Sequence, residues 1–294
     1  MKVEQMTRYL YAIIMLFGLC LMPKGVVRAA DYVVSVADGA ITCAYKGDTL
    51  KNAYAAVIER DGQYQIVKPC TKKSNIYYFD ENGCGIPYAK SGTISIVYNG
   101  KKKTYYTCDG VLVMNESVGN SKGSSYYVGN DGVVVKDKTM RKAVSFVCAH
   151  TKADWSQEKK LKACYEYFWK HYTYQRFYDS PKASKMSSYA NYMLFKKKGN
   201  CYRYAASFAY IAKALGYDVK VVVGSIPHLH GSGMTPHGWT EIKIDGKWYL
   251  FDTNMQKNFP EVDSYKKTDK TYPYPHKVAA KYKMKVSNGK ISWK

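Results

Sequence analysis

From residue 31 to 138 the chain alternates short apolar runs with turn residues, the pattern of short strands. Three stretches share a theme: Tyr77-Tyr78-Phe79-Asp80-Glu81-Asn82-Gly83, Tyr105-Tyr106-Thr107-Cys108-Asp109-Gly110 and Tyr126-Tyr127-Val128-Gly129-Asn130-Asp131-Gly132. Each is a tyrosine pair, a spacer and an Asn-Gly or Asp-Gly, the dipeptides that tolerate positive φ in tight hairpins. From Thr139 the period changes. Thr139 to about His150 reads as a helix. A second, Gln157 to Tyr172, is capped by Asp154 or Ser156 and carries Leu161, Tyr165, Phe168 and Trp169 at helical spacing. A short helix is expected around Tyr189 and Met193. Cys201 to Leu215 is a further helix, with Ala205, Phe208, Ala209 and Ala212 on one face and Gly216 as its stop. Strands are predicted at Val219–Val223, His237–Ile244 and Lys247–Asp252.

Composition excludes a disordered chain: of 294 residues, 46% are hydrophobic and 15% aromatic. Residues 1–29 combine Lys2 and Arg8 with an uncharged run, Tyr9 to Met22, and a Val27-Arg28-Ala29 ending, the layout of a secretory signal cleaved after Ala29. The run falls short of the ~20 residues a spanning helix needs. The expected product is secreted or held at the cell surface. Charge is uneven. Residues 30–138 hold 13 basic and 11 acidic side chains, whereas 139–294 hold 28 and 11. Two units with different surfaces follow, 30–138 and 139–294. The expected partner is a protein or peptide substrate, and nucleic acid is not favoured.

Chemistry concentrates in the second unit. With Asp245-Gly246 as a two-residue turn, Ile244 faces Lys247, Trp239 faces Asp252 and His237 faces Asn254. His237, Trp239, Trp248, Leu250, Asp252 and Asn254 then share one sheet face, with His237 and Asp252 diagonal neighbours. A one-residue shift of register would break that pairing. Asn254 is an alternative to Asp252 for orienting the imidazole. Cys201 follows Gly199-Asn200 at a helix start, where the dipole and free N–H groups favour a thiolate and can receive an oxyanion. The candidate catalytic residues are Cys201 as nucleophile, His237 as acid and base, and Asp252 as the group that holds the ring. Tyr202 and Trp239 are the candidate substrate contacts. The loop Ser225–Pro236, just before His237, is expected to border the cleft.

These residues carry a resemblance. Gly199-Asn200-Cys201-Tyr202-Arg203-Tyr204-Ala205, His237-Gly238-Trp239-Thr240-Glu241-Ile242 and Asp245-Gly246-Lys247-Trp248-Tyr249-Leu250-Phe251-Asp252-Thr253 resemble, in order, the motifs of the bacterial transglutaminase-like superfamily. The resemblance covers roughly Leu161 to Asn254. It implies an α+β fold, a papain-like core in which the helix bearing Cys packs on an antiparallel sheet, here preceded by a small all-β, hairpin-rich domain. It implies Cys201, His237 and Asp252 as a triad, and acyl transfer or hydrolysis at an amide or glutamine carbonyl through a thioester. A papain-like peptidase, a peptidoglycan amidase and a catalytically silent surface protein stay open as alternatives. Separately, residues 64–138 resemble aromatic cell-wall-binding repeats, which implies a wall polymer as partner of 30–138.

No cofactor is expected. His228, His230 and His237 lack a further ligand at metal spacing, so no metal site is assigned. Besides Cys20 and Cys201, the chain has Cys43, Cys70, Cys84, Cys108, Cys148 and Cys164. Disulfides within each unit and free thiols are both open readings.

Overall fold

The computed structural model describes residues 32–37, 40–60, 63–69, 74–119, 125–228 and 231–294. The signal-like segment, Cys20, Cys70 and His230 lie outside them. In the first unit ten strands form one sheet: β1 (Tyr32–Ala37), β2 (Ala40–Tyr45), β3 (Asp48–Thr49), β4 (Ala53–Arg60), β5 (Gln63–Val67), β6 (Asn75–Phe79), β7 (Cys84–Pro87), β8 (Gly92–Tyr98), β9 (Lys101–Cys108) and β10 (Val111–Leu112). The order is β1-β2-β7-β6-β4-β8-β9-β10, with β3 on β2 and β5 on β4. Alternation on β4 sends Ala55 and Val57 into one apolar cluster and Ala56 into another, so the sheet buries both faces.

The three tyrosine motifs do not build three equal units. The first two lie in the ten-stranded sheet. The third lies in a separate sheet of β11 (Glu116–Gly119), β12 (Ser125–Val128) and β13 (Val134–Val135). Their turns differ as well. Asp109-Gly110 has positive φ at both residues, whereas at Asn82-Gly83 and Asp131-Gly132 only the glycine does. The small sheet packs on the second unit: Tyr127 and Val135 belong to that unit's main core, and the Ser117 hydroxyl donates to Ala214 O at 2.5 Å. It packs on the ten-stranded sheet as well: the Tyr106 hydroxyl donates to Gly119 O at 2.5 Å, and Tyr106 clusters with Val128 and Val134.

The second unit opens with helix α1 (Lys138–His150), capped by Asp137, whose side chain accepts from Met140 N. Helix α2 (Gln157–His171) is capped by Ser156. Strand β14 (Thr173–Tyr174), helix α3 (Met186–Lys196) and strand β15 (Lys198–Gly199) follow, β14 and β15 pairing parallel. Helix α4 (Cys201–Ala214) comes next. It was expected to bury one face, and all fourteen of its residues are buried. It is the central rod of the unit, which explains its alanines: they allow close approach on every side. Gly216, at φ 93°, ends it, with Gly216 N–H donating to Lys213 O and Tyr217 N–H to Ala212 O, a Schellman stop.

On one side α4 meets an antiparallel sheet ordered β18-β17-β16-β19-β20: β16 (Asp218–Pro227), β17 (Met234–Ile244), β18 (Lys247–Phe251), β19 (Lys277–Ser287) and β20 (Lys290–Trp293). Helix α5 (Thr253–Asn258) follows β18. The cysteines Cys43, Cys84, Cys108, Cys148, Cys164 and Cys201 are free thiols. No helix among the described residues is long and apolar enough to cross a membrane.

Candidate active site

The β17–β18 hairpin has the register read from its turn. Ile244 pairs with Lys247 and Thr240 with Phe251, and Asp245 and Gly246 both have positive φ. The ladder stops at Phe251. Asp252 leaves it to cap α5, its Oδ1 accepting from Asn254 N at 3.1 Å and Met255 N at 2.9 Å. Asn254 is drawn into the helix, and the ring is held by the carboxylate: His237 Nε2 and Asp252 Oδ2 are 2.7 Å apart, both residues buried. That leaves Nδ1 clear of the carboxylate, and the Cys201 side chain is among the groups that favour the charged ring.

Burial of His237 works against its charged form. The charge of Asp252 and its hydrogen bond outweigh this, Cys201 adds to them, and the imidazole is raised from 6.5 to about 10. At neutral pH the ring is an imidazolium beside sulfur, the arrangement that stabilises a thiolate. Cys201 opens α4, so its own N–H has no partner within the helix. An oxyanion formed there would meet that donor and the positive end of the helix dipole.

Two groups around the site were not read from sequence. Tyr272 donates its hydroxyl to Asp252 Oδ2 at 2.6 Å, the oxygen that also holds His237. Burial first, and Asp252 second, push the Tyr272 phenol far up, so it remains a donor at every relevant pH. No local motif marks this residue, which lies 20 positions beyond its partner. The other group is Arg203. Its guanidinium carbon lies 3.7 Å from the Phe177 ring centroid and 4.7 Å from that of Tyr189. It pairs with Asp179 and reaches Asn200 Oδ1 at 3.1 Å. Asn200 caps α4 through that oxygen and gives its Nδ2 to Asp179 at 3.1 Å, so the cluster fixes the turn that presents Cys201. The Asn200-Cys201-x-Arg203 spacing, cap to third helical residue, was the available signal.

Trp239 requires a correction as a substrate contact. It is 1% exposed, packed with Val222, Leu250 and Tyr272, and stacked at 6.2 Å from the His237 ring. Its place is behind the imidazole, where it keeps water from the ion pair. Tyr202 is 6% exposed, and its ring edge fills the space beside Gly238. The expected loop Ser225–Pro236 is mostly ladder: Ser225 pairs with Pro236 and Pro227 with Met234, so the hairpin extends past the site. No group of three or more potential metal ligands occurs among the described residues.

Residues 146–253 match the family model described as the transglutaminase-like superfamily, and Cys201, His237 and Asp252 lie inside that span. Among solved structures the chain is similar to a TGase at 20% identity, over 46% of this chain and 36% of that one, with a TM-score of 0.32. It is similar to a candidate cysteine protease from Cytophaga hutchinsonii at 10% identity, over 69% and 76%, with a TM-score of 0.34. It is also similar to a truncated alternansucrase from Leuconostoc mesenteroides NRRL B-1355 at 19% identity, over 36% and 8%, with a TM-score of 0.21. The chain spans well under two thirds of the TGase and of the alternansucrase. No curated protein matches it.

Proposed function

Residues 146–253 being a transglutaminase-like core, we propose that this chain is an exported cysteine enzyme that transfers or hydrolyses acyl groups at an amide or glutamine carbonyl. The Cys201 thiolate attacks the carbonyl carbon and forms a C–S bond. The resulting oxyanion rests against the N–H at the start of α4. As the tetrahedral adduct collapses, the C–N bond breaks and the leaving nitrogen takes the proton from His237. A thioester remains. An amine or water then yields a proton to His237, attacks the thioester carbon and expels the thiolate. Asp252 holds the ring through both halves.

The observation that carries this reading is the buried His237–Asp252 pair at 2.7 Å, with Cys201 buried at the start of α4 and acting on the same ring. The test offers a glutamine peptide with a labelled primary amine and measures incorporation against hydrolysis. Either product supports acyl chemistry, and their ratio separates transferase from peptidase or amidase. Cys201→Ala is expected to abolish both products. If both persist, the mechanism is wrong. We extend the proposal to residues 30–138 as a wall-polymer module, tested by retention of the full chain on purified cell walls; failure to be retained rejects that extension.

A further inference from the structure

On β19, Lys281, Lys283 and Lys285 alternate with Tyr282, Met284 and Val286. The apolar set packs into the main core, so the lysines stand on the other face of the sheet. The registers carry that face across the neighbouring strands. Lys283 lies opposite Lys220 on β16, and Lys220 lies opposite Glu241 on β17. Lys294 exchanges backbone hydrogen bonds with Lys283 from the other side. In the next row Lys243 lies opposite Trp248.

This face is electrostatically unbalanced. Glu241, 6% exposed, is already engaged by Lys281 at 2.6 Å and Lys220 at 3.5 Å. The other carboxylate, Asp218, lies opposite Lys243 in the β16–β17 register and is 3.8 Å from Lys213 of α4. Among the described residues, Lys243, Lys283, Lys285 and Lys294 have no carboxylate within ion-pair distance. Lys220 and Lys283 stand on adjacent strands, and Lys294 follows directly on the next, β20, the strands being ~4.8 Å apart. Like charges in directly opposed positions destabilise a sheet. Glu241 beside Lys220, and the Trp248 ring under Lys220 and Lys283 at 3.6 and 5.9 Å, offset this repulsion only in part, and a bound anion would offset the rest.

The chemistry of the surface narrows the anion. The cations are all lysines, compact point charges suited to phosphate oxygens approached from any direction, without the fork that selects single carboxylates. Lys220 Nζ sits 3.6 Å from the Trp248 ring centroid, so that ring face is taken and offers no platform for a nucleobase. The exposed apolar residues of this sheet, Met234 and Val278, lie at the opposite ends of their strands, so the lysine rows hold no wedge for a bilayer. We propose that this face docks a linear, base-free polyphosphate chain laid across the strands, independently of the chemistry at Cys201.

The test titrates the full chain with inorganic polyphosphate over a salt series. Two triple variants with the same change of net charge are compared: Lys243→Glu/Lys283→Glu/Lys285→Glu on this face, and Lys90→Glu/Lys101→Glu/Lys102→Glu on the exposed surface of the first unit. The face variant is expected to lose at least about tenfold in affinity and to flatten the log–log salt slope by about three, one per lysine removed, while the control retains most of both. Glutamine in place of glutamate at the same three positions repeats the test without introducing acidic charge, and it should raise the unfolding midpoint by removing repulsion. Equal losses in the two triple variants would overturn the proposal, since net charge alone would then explain binding. Tighter binding of single-stranded DNA of equal charge, or of anionic vesicles, would overturn it too.

Discussion

Tyr272→Phe removes one oxygen and leaves the ring that packs against Trp239 and Leu250. No cavity opens, so the effect isolates the hydrogen bond to Asp252 Oδ2. A hydrogen bond to a charged group contributes about 1.5–3 kcal/mol, and the variant should lose about that much stability. The carboxylate remains satisfied by His237 Nε2 at 2.7 Å and by two backbone N–H groups, so it does not become an orphan charge. Relieved of its competitor, Oδ2 holds the imidazolium more tightly. One pKa unit corresponds to about 1.36 kcal/mol, so the His237 proton should be lost up to about one pH unit later than in the parent. The tightened pair loses its tie to Tyr272 and is free to swing as a unit, and misorientation of the ring should cost about tenfold in kcat, equivalent to about 1.4 kcal/mol, with little change in KM. The assay is kcat and KM for amine incorporation against pH, with a urea unfolding curve beside it. A merely structural tyrosine would move the unfolding midpoint and leave the alkaline limb of the pH profile in place. If that limb is unmoved, Tyr272 does not position the triad.

Further consequences follow for pH, for the helix cap and for the nucleophile. His237 is held above its ordinary 6.5, at about 10, so its paired state stabilises the folded chain fully below about pH 6.5 and loses that contribution as pH rises through about 10. Unfolding midpoints between roughly pH 6 and 10 should therefore fall more steeply for the parent than for His237→Gln; parallel curves would contradict the pairing. Arg203→Lys keeps the charge but loses the planar contact with Phe177 and the reach to both Asp179 and Asn200. It should cost about 2–3 kcal/mol and lower kcat, read by denaturant unfolding and steady-state kinetics; parent-like stability would count against the cluster as the clamp on Asn200. Cys201 should be the thiol alkylated fastest at neutral pH, shown by peptide mass spectrometry, and His237→Gln should slow it; indifference to that substitution would remove the imidazolium from the argument.

What could be read in advance was local, and what could not be read was distant. The hairpin register followed from Asp245-Gly246 alone, because a two-residue turn leaves its strands no freedom, and it brought His237 near Asp252 before any tertiary contact was known. The end of that ladder was not legible, since Asp252 leaves the strand to cap a helix of only six residues. Strand β19 was missed although its Lys-Tyr-Lys-Met-Lys-Val run alternates cleanly. Tyr272 and the clamp of Asp179 on Asn200 depend on contacts 20 and 21 residues apart, which no window of local pattern contains. Two glycines put the distinction to the test. Gly246 has φ 82° and no atom within 4 Å of an added Cβ, so Gly246→Ala pays only backbone strain, about 1–2 kcal/mol. Activity per folded molecule should be unchanged. Gly199 has an ordinary φ, and nothing in its sequence context forbids alanine. Yet a Cβ there would sit 2.6 Å from Arg203 Cβ and 2.8 Å from its Cδ, both backed by the first turn of α4. Overpacking of this kind costs about 1–3 kcal/mol, comparable to the first variant. The strain falls on the turn that carries the nucleophile, however, so Gly199→Ala should lose turnover far beyond its loss of stability. Urea curves and kcat for the pair decide it: should both variants lose activity only in proportion to the fraction unfolded, the packing of Arg203 does not set the position of Cys201.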